Sequence, residues 1–229
     1  MYGVYVSTSI SRSRLDRSRV VAAAIELADE QGLDAASMRG VADRLGVTAM
    51  ALYKHVANRS QLIDEMVDRL LDDIGPLPEQ DDWRRNVRAR ILASRAVLTA
   101  HSWMRDAIET RPLATPRTLA HMDALMAAMF DGGLSADLVH HTMHALSTRM
   151  WGFTRDVLPT PRVPDDPEER AIAMADFATS YPAIIRMATD ADRAGVACDE
   201  DAEFGFALDL LLDGVAHLHE SGWRSTTAR

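Results

Sequence analysis

The 229-residue sequence has one cysteine, Cys198, and so carries no internal disulfide and no multi-cysteine zinc site. Such usage fits a reducing compartment. Nowhere do apolar residues run to the ~18 that span a bilayer. The opening MYGVYVSTSISRSR lacks the apolar block, about 7–15 residues, of a secretion signal. These absences lead to the expectation of a cytoplasmic protein without membrane contact. No P-loop, GxSxG or GxGxxG is present, so no motif supports an enzyme and no cofactor is expected. Strand patterns are missing too. After residue 10, no alternating β-branched and aromatic run is bounded by turn pairs.

What is present is helical and unevenly charged. The net charge is −9. Residues 1–60 hold eight basic side chains against six acidic ones, a balance of +2, which leaves 17 against 28, or −11, for the rest. A mildly basic head on an acidic body suits a protein whose one end meets a polyanion. Val20, Val21, Ala24, Ile25 and Ala28 form a stripe at helical spacing, stopped by Gly32. Ser37 reads as the N-cap of a short second helix bearing Val41, Ala42 and Leu45 and ended by Gly46. Thr48 reads as the cap of a third, through about His55. Asn58 reads as the cap of a fourth, whose apolar face runs from Leu62 to Ile74. Gly75-Pro76 and Pro78 break the pattern and mark a domain boundary. Further helices are expected near 82–101, 103–110, 116–131, 135–157, 167–191 and 200–220, with the Pro-rich 159–167 as a loop.

Residues 37–56, SMRGVADRLGVTAMALYKHV, place two short helices around Leu45-Gly46-Val47. A small-residue turn of this kind sets the second helix to enter a major groove. Leu52 and Val56 face inward with Val41, Ala42 and Leu45, leaving Ala49, Met50, Ala51, Lys54 and His55 outward or flanking. Small apolar groups can touch thymine methyls, Lys54 can donate to guanine, and Tyr53 can donate to a phosphate. Arg39 can reach a base edge or a phosphate. The backbone amides behind the Ser37 and Thr48 caps can hold phosphates. An ordinary αα-hairpin has the same helix lengths, but gives no reason for an outward Tyr-Lys-His cluster beside Asn58 and Arg59.

The run RLDRSRVVAAAIELADEQGLDAASMRGVADRLGVTAMALYKHVANRSQLIDEMVDRLL, residues 14–71, resembles the DNA-binding domain of the TetR family of bacterial transcription regulators. It is especially similar to the tetracycline repressors. The shared features are the RLD-basic-S-basic-V start, Gly32, LGV at 45–47, and LY-x-HV-x-N-basic before an apolar fourth helix. Thr110-Arg111-Pro112 is a further shared fragment. The resemblance implies that the third helix reads DNA, with contacts from Arg39, Ala49, Met50, Ala51, Tyr53, Lys54, His55 and Arg59. Lys54 stands where those repressors have tryptophan, and Met38 and Ala51 where they have threonine, so a different operator is implied. Their two drug-chelating histidines correspond to Ile74-Gly75 and Ala107-Ile108 here. Neither tetracycline nor magnesium is expected.

The expected fold is therefore all-α and TetR-like, with about nine or ten helices: a three-helix helix-turn-helix DNA-binding domain plus a helical ligand-binding and dimerisation domain. Its parts are an N-terminal arm (1–13), the helix-turn-helix (14–60), a connecting fourth helix (61–75) and the effector-binding, dimerising body (76–229). The expected function is a transcription repressor released from double-stranded DNA by a small organic effector. An activator of the same fold, or a helical enzyme or carrier with a merely structural helix pair, are the alternatives.

Methionine and aromatic positions beyond residue 100 either pack a core or line an adaptable pocket. Trp103, Met104, Met126, Phe130, His144 and Trp151 are the candidate liners for an apolar or aromatic effector. His140 and His144 share a helix face with His141 beside them, yet no HExxH-type glutamate accompanies them, so no metal is expected. Phe204, Leu208, Leu211, Leu212, Val215 and Leu218 form a stripe expected to pack with the 135–157 helix in a two-fold four-helix interface. A homodimer of that kind addresses a pseudo-palindromic operator.

Overall fold

The computed structural model describes residues 14–75, 80–111, 114–147, 164–190 and 199–225. Among the described residues there are eleven helices and no strand.

The head is built from α1 (Arg17–Gln31), α2 (Met38–Leu45), α3 (Ala49–Leu52) and α4 (Arg59–Asp73). Asp16 opens α1 by accepting from the Arg19 backbone N–H at 2.8 Å. The helix buries Val20, Val21, Ala24, Leu27 and Ala28. After Gly32, a 3₁₀ turn (Leu33–Ala35) leads to Ser37, whose hydroxyl accepts from Gly40 N–H at 3.0 Å and caps α2. A glycine is required at position 40: a Cβ there would lie 2.5 Å from the Ala35 carbonyl oxygen. Gly46 ends α2 in the left-handed region at φ 65°, where glycine carries no steric penalty.

The third helix differs from expectation in two ways. Thr48 occupies the cap position but its side chain makes no capping hydrogen bond. The helix proper closes at Leu52, and Tyr53, Lys54 and His55 form a turn tied back by His55 N–H and Val56 N–H to the Leu52 carbonyl. Asn58 caps α4 as expected, accepting from Gln61 N–H at 2.8 Å, and Gln61 returns its amide oxygen to Ala57 N–H at 2.6 Å. α4 packs on α1 and buries Leu62, Ile63, Met66, Val67, Leu70 and Leu71.

The body continues with α5 (Trp83–Ala100), α6 (Met104–Glu109), α7 (Pro116–Asp131) and α8 (Ala136–Ala145). Then come α9 (Pro167–Ser180), α10 (Pro182–Asp190) and α11 (Glu200–Glu220). α5 packs on α4 and α7, α4 also meets α6 and α7, and α7 packs on α8. The single helix expected over 167–191 is two. Tyr181 precedes Pro182, whose ring pushes its neighbour out of the helical region, and Tyr181 sits at φ −130°, ψ 59°. Pro182 then opens α10, a position where its missing N–H costs nothing. This break explains the eleventh helix.

The chain divides into two compact units, and the division does not fall at Gly75-Pro76. One unit takes in the described residues up to Ser147 and from Val215 onward; the other takes in those between Pro164 and Gly214. Within the second unit α9 packs on α10.

Candidate functional site

The helix-turn-helix shows a sharp contrast between an inner and an outer side. Val41, Ala42, Leu52 and Val56 are buried, which anchors the two short helices to α1 and α4; Leu45 is half-buried. Outward lie Met50, 73% exposed, with Tyr53, Lys54, Arg39 and Thr48. Ser37, Ala49, Ala51 and His55 are partly covered at the edges of that surface. Burial of about four apolar side chains fixes the backbone, and the backbone in turn aims Met50, Tyr53 and Lys54 outward together.

Among the arginines of the head, Arg59, Arg17 and Arg44 are engaged with protein groups. The resemblance implies a DNA contact from Arg59; its guanidinium donates to the Leu33 carbonyl at 2.8 Å and the Ala36 carbonyl at 3.4 Å, and meets Asp34 at 3.3 Å. It ties the start of α4 to the segment that leads into α2. Arg17 donates to the His55 carbonyl at 3.0 Å and pairs with Glu65, holding the end of the turn that follows α3. Arg44 grips Glu30 through two 2.7 Å contacts and reaches Glu26 at 3.2 Å. The Arg44 hydrogen bond holds the Glu30 carboxyl below its ordinary value. Arg39 is different. Its side chain is 91% exposed and only loosely paired with Asp43 at 3.9 Å. On α2 and on the turn after α3, Arg39 and Lys54 are the exposed cations without a close carboxylate.

Head and body are joined along α4 by an acidic ladder. Asp64, Asp68 and Asp72 follow at i, i+4 and i+8 and so share one helix face. Arg111 pairs with Asp64 and donates to the Ser60 carbonyl, the Thr115 hydroxyl donates to Asp68, and Arg117 pairs with Asp72 at 3.0 Å. These three partners lie at or just before the start of α7. Burial pushes the Asp68 carboxyl above its ordinary value; the Thr115 hydrogen bond opposes this and the Asp64 and Asp72 charges add to it. At the other end of the head, Asp29 of α1 accepts from Trp103 Nε1–H at 2.7 Å and meets His101 Nδ1 at 2.8 Å. The periodicity of the aspartates was visible in the sequence. Their partners, some 45 residues away, were not.

A cleft of 350 Å³ opens between α7 and α8. Of the candidate liners, Met126, Phe130 and His144 border this cleft, together with Met122, Ala136, Val139, His140, Met143 and Ser147. Trp103 and Met104 do not. Both are buried, and the Trp103 indole is committed to Asp29. Trp151 lies outside the described residues. Among those residues, no group of three or more His, Cys, Asp or Glu side chains is arranged to hold a metal ion.

The stripe expected to dimerise is turned inward. Phe204, Leu208, Leu212 and Val215 are buried within the single chain, and Leu211 and Leu218 are half-buried. Area already removed from water cannot be removed again by a partner. The apolar side chains that α11 leaves open are Phe206 and Leu210, 67% and 65% exposed and one turn apart. A helix apolar on both sides gives no periodic signal as to which side faces out.

Residues 75–218 match the family model of the tetracyclin repressor-like C-terminal domain, and residues 20–66 match that of the bacterial regulatory proteins of the tetR family. The class A tetracycline repressor from transposon 1721 of Escherichia coli is 31% identical over 215 residues, covering 89% of this chain and 92% of that protein. An HTH-type transcriptional regulator of Saccharopolyspora erythraea is 34% identical over 126 residues, covering 55% of this chain and about half, 53%, of that protein. Among solved structures, the Streptomyces coelicolor TetR family protein ActR in complex with actinorhodin superposes with a TM-score of 0.65 at 28% identity. That match covers 89% of this chain and 96% of that one.

Proposed function

The chain belongs to the TetR family of DNA-binding transcription regulators, and on that premise we propose that it is a homodimeric repressor whose operator complex is released by a small organic molecule bound between α7 and α8. The observation that carries the reading is the outward group of Met50, Tyr53, Lys54 and Arg39, held on a buried frame with the cations left available. In a major groove, Lys54 donates to guanine O6 or N7, Met50 and Ala51 meet thymine methyls, and Tyr53 donates to a phosphate. Ser37, Thr48 and Ala49 bring backbone amides near the phosphates, with His55 at the edge of the contact.

Occupation of the cleft and release of DNA are joined by covalent and ionic continuity. Met122, Met126 and Phe130 of α7 wall the cleft, and the opposite end of α7 holds the Asp64–Asp68–Asp72 ladder of α4. A ligand that shifts α7 therefore pulls on α4, and α4 carries the head. A differential affinity of about 1–3 kcal/mol between the two head positions suffices for a working switch. ActR, whose structure contains actinorhodin, lends support to an aromatic effector. Phe206 and Leu210 are the face that α11 offers to a second copy, and two-fold symmetry then calls for a pseudo-palindromic operator with half-sites one DNA turn (~34–36 Å) apart.

Footprinting on DNA from upstream of the gene tests this. The expected result is one protected pseudo-palindrome, bound by two chains and lost with rising salt. Protection of no discrete site, or binding by one chain at a single half-site, would overturn it.

A further inference from the structure

The cleft between α7 and α8 has a lopsided chemistry that narrows what fits it. Met122, Met126 and Phe130 recur at i, i+4 and i+8 along α7, and Met143 comes from α8. Flexible thioethers and a phenyl ring favour the faces of an aromatic system over a branched aliphatic one. The polar groups are His140 and His144, one turn apart on α8, and Ser147 in the turn just after it. The His140 and His144 rings meet edge to face with centroids 4.6 Å apart, close enough for adjacent substituents of one rigid molecule to reach both. Among the described residues, no lysine or arginine lines the cleft. A carboxylate or phosphate would meet no permanent cation among them, at a desolvation cost that a neutral group avoids. The ring nitrogens of an imidazole can accept a hydroxyl proton or donate to a hydroxyl oxygen. At 350 Å³ the volume is at the small end for organic ligands, matching two or three fused rings.

Building on the reading of this cleft as the effector site, we propose that it takes a planar fused aromatic with neighbouring phenolic hydroxyls on one edge, and that His140 and His144 determine that specificity. The methionines and Phe130 accept any flat ring of the right size. The imidazole pair distinguishes a hydroxyl, which can donate, from an ether, which cannot.

Direct binding to the full-length protein without DNA is the test, measured calorimetrically with 2,3-dihydroxynaphthalene and 2,3-dimethoxynaphthalene. The parent should bind the diol at least tenfold more tightly than the diether. Both histidines are exposed, so the double variant His140→Phe, His144→Phe keeps the fold, which circular dichroism checks. It should lose that preference while binding the diether within about threefold of the parent. Equal affinity of the parent for both compounds, binding of neither, or a preference that survives the double substitution would each overturn the proposal. Separate measurement of operator release keeps the two readings apart. Diol preference without DNA release leaves this assignment standing and removes the switch, whereas release by other compounds without diol binding does the reverse.

Discussion

Arg59 offers a decisive experiment because two readings of it predict opposite results. If its guanidinium serves the scaffold, Arg59→Ala removes a 2.8 Å charged hydrogen bond to the Leu33 carbonyl and a longer one to Ala36. A hydrogen bond to a charged group contributes about 1.5–3 kcal/mol. The side chain is 41% exposed, so the low end applies, and the pair with fully exposed Asp34 adds little. A loss of roughly 2 kcal/mol follows, which for a cooperative unit of this size lowers Tm by about 4–8 °C. The salt dependence of DNA binding should stay as in the parent. If Arg59 instead neutralises a phosphate, Tm stays within about 1–2 °C, and the slope of log K against log salt falls by about 0.9 per chain, about 1.8 for the proposed dimer. Lys54→Ala is the matched control. Exposed and outward, it should leave Tm unchanged, cost about 1–3 kcal/mol on operator DNA and relax preference at one base pair. Thermal melts and fluorescence anisotropy from 50 to 200 mM salt read both quantities. Unchanged Tm with a reduced slope for Arg59→Ala would refute the scaffold assignment.

Gly40→Ala should destabilise the head by about 1–3 kcal/mol despite alanine's better helix propensity, because the new Cβ would fall 2.5 Å from a backbone oxygen that cannot easily move; chemical denaturation measures it, and a stabilised variant would contradict the close approach. Asp68→Asn tests the ladder through pH: a carboxyl whose folded pKa is raised contributes stability below its unfolded value, near 3.8, and loses it as pH rises through the folded one. The variant should therefore gain on the parent as pH rises above about 4 in paired urea melts, and a flat or opposite difference rejects the assignment. Trp103→Phe should lower Tm by breaking the Asp29 hydrogen bond yet leave effector titrations unchanged, since the indole lies outside the cleft; a shifted titration would return Trp103 to the pocket. Leu210→Glu should give a monomer in sedimentation, while Leu208→Glu should unfold the chain, because only the first side chain is exposed.

Local physics made much of this protein legible before any coordinates. Capping residues and stop glycines act within one turn of chain, so Ser37, Gly46 and Asn58 announced the ends of α2 and α4, and Pro116 the start of α7. A stripe of apolar residues with one polar face can only bury one way, which placed Val41, Ala42, Leu52 and Val56 inside and left Met50, Tyr53 and Lys54 outward. Two kinds of information were not local. A long flexible cation is equally at home on a phosphate or on a carbonyl, and whether Arg59 is spent depends on Leu33 and Ala36, brought beside it by the packing of α1, α2 and α4. Likewise Phe204, Phe206, Leu208 and Leu210 alternate on α11, and hydrophobicity alone did not say which pair faces inward. The sequence by itself determined where most helices lie, the caps of α2 and α4 and the outward surface around Met50, Tyr53 and Lys54, because each rests on contacts within a few residues. The tertiary structure alone decided which arginines are spent, how α4 is fastened to α7 and which side of α11 is left uncovered, because those energies come from pairs that are distant in the chain and meet only after folding.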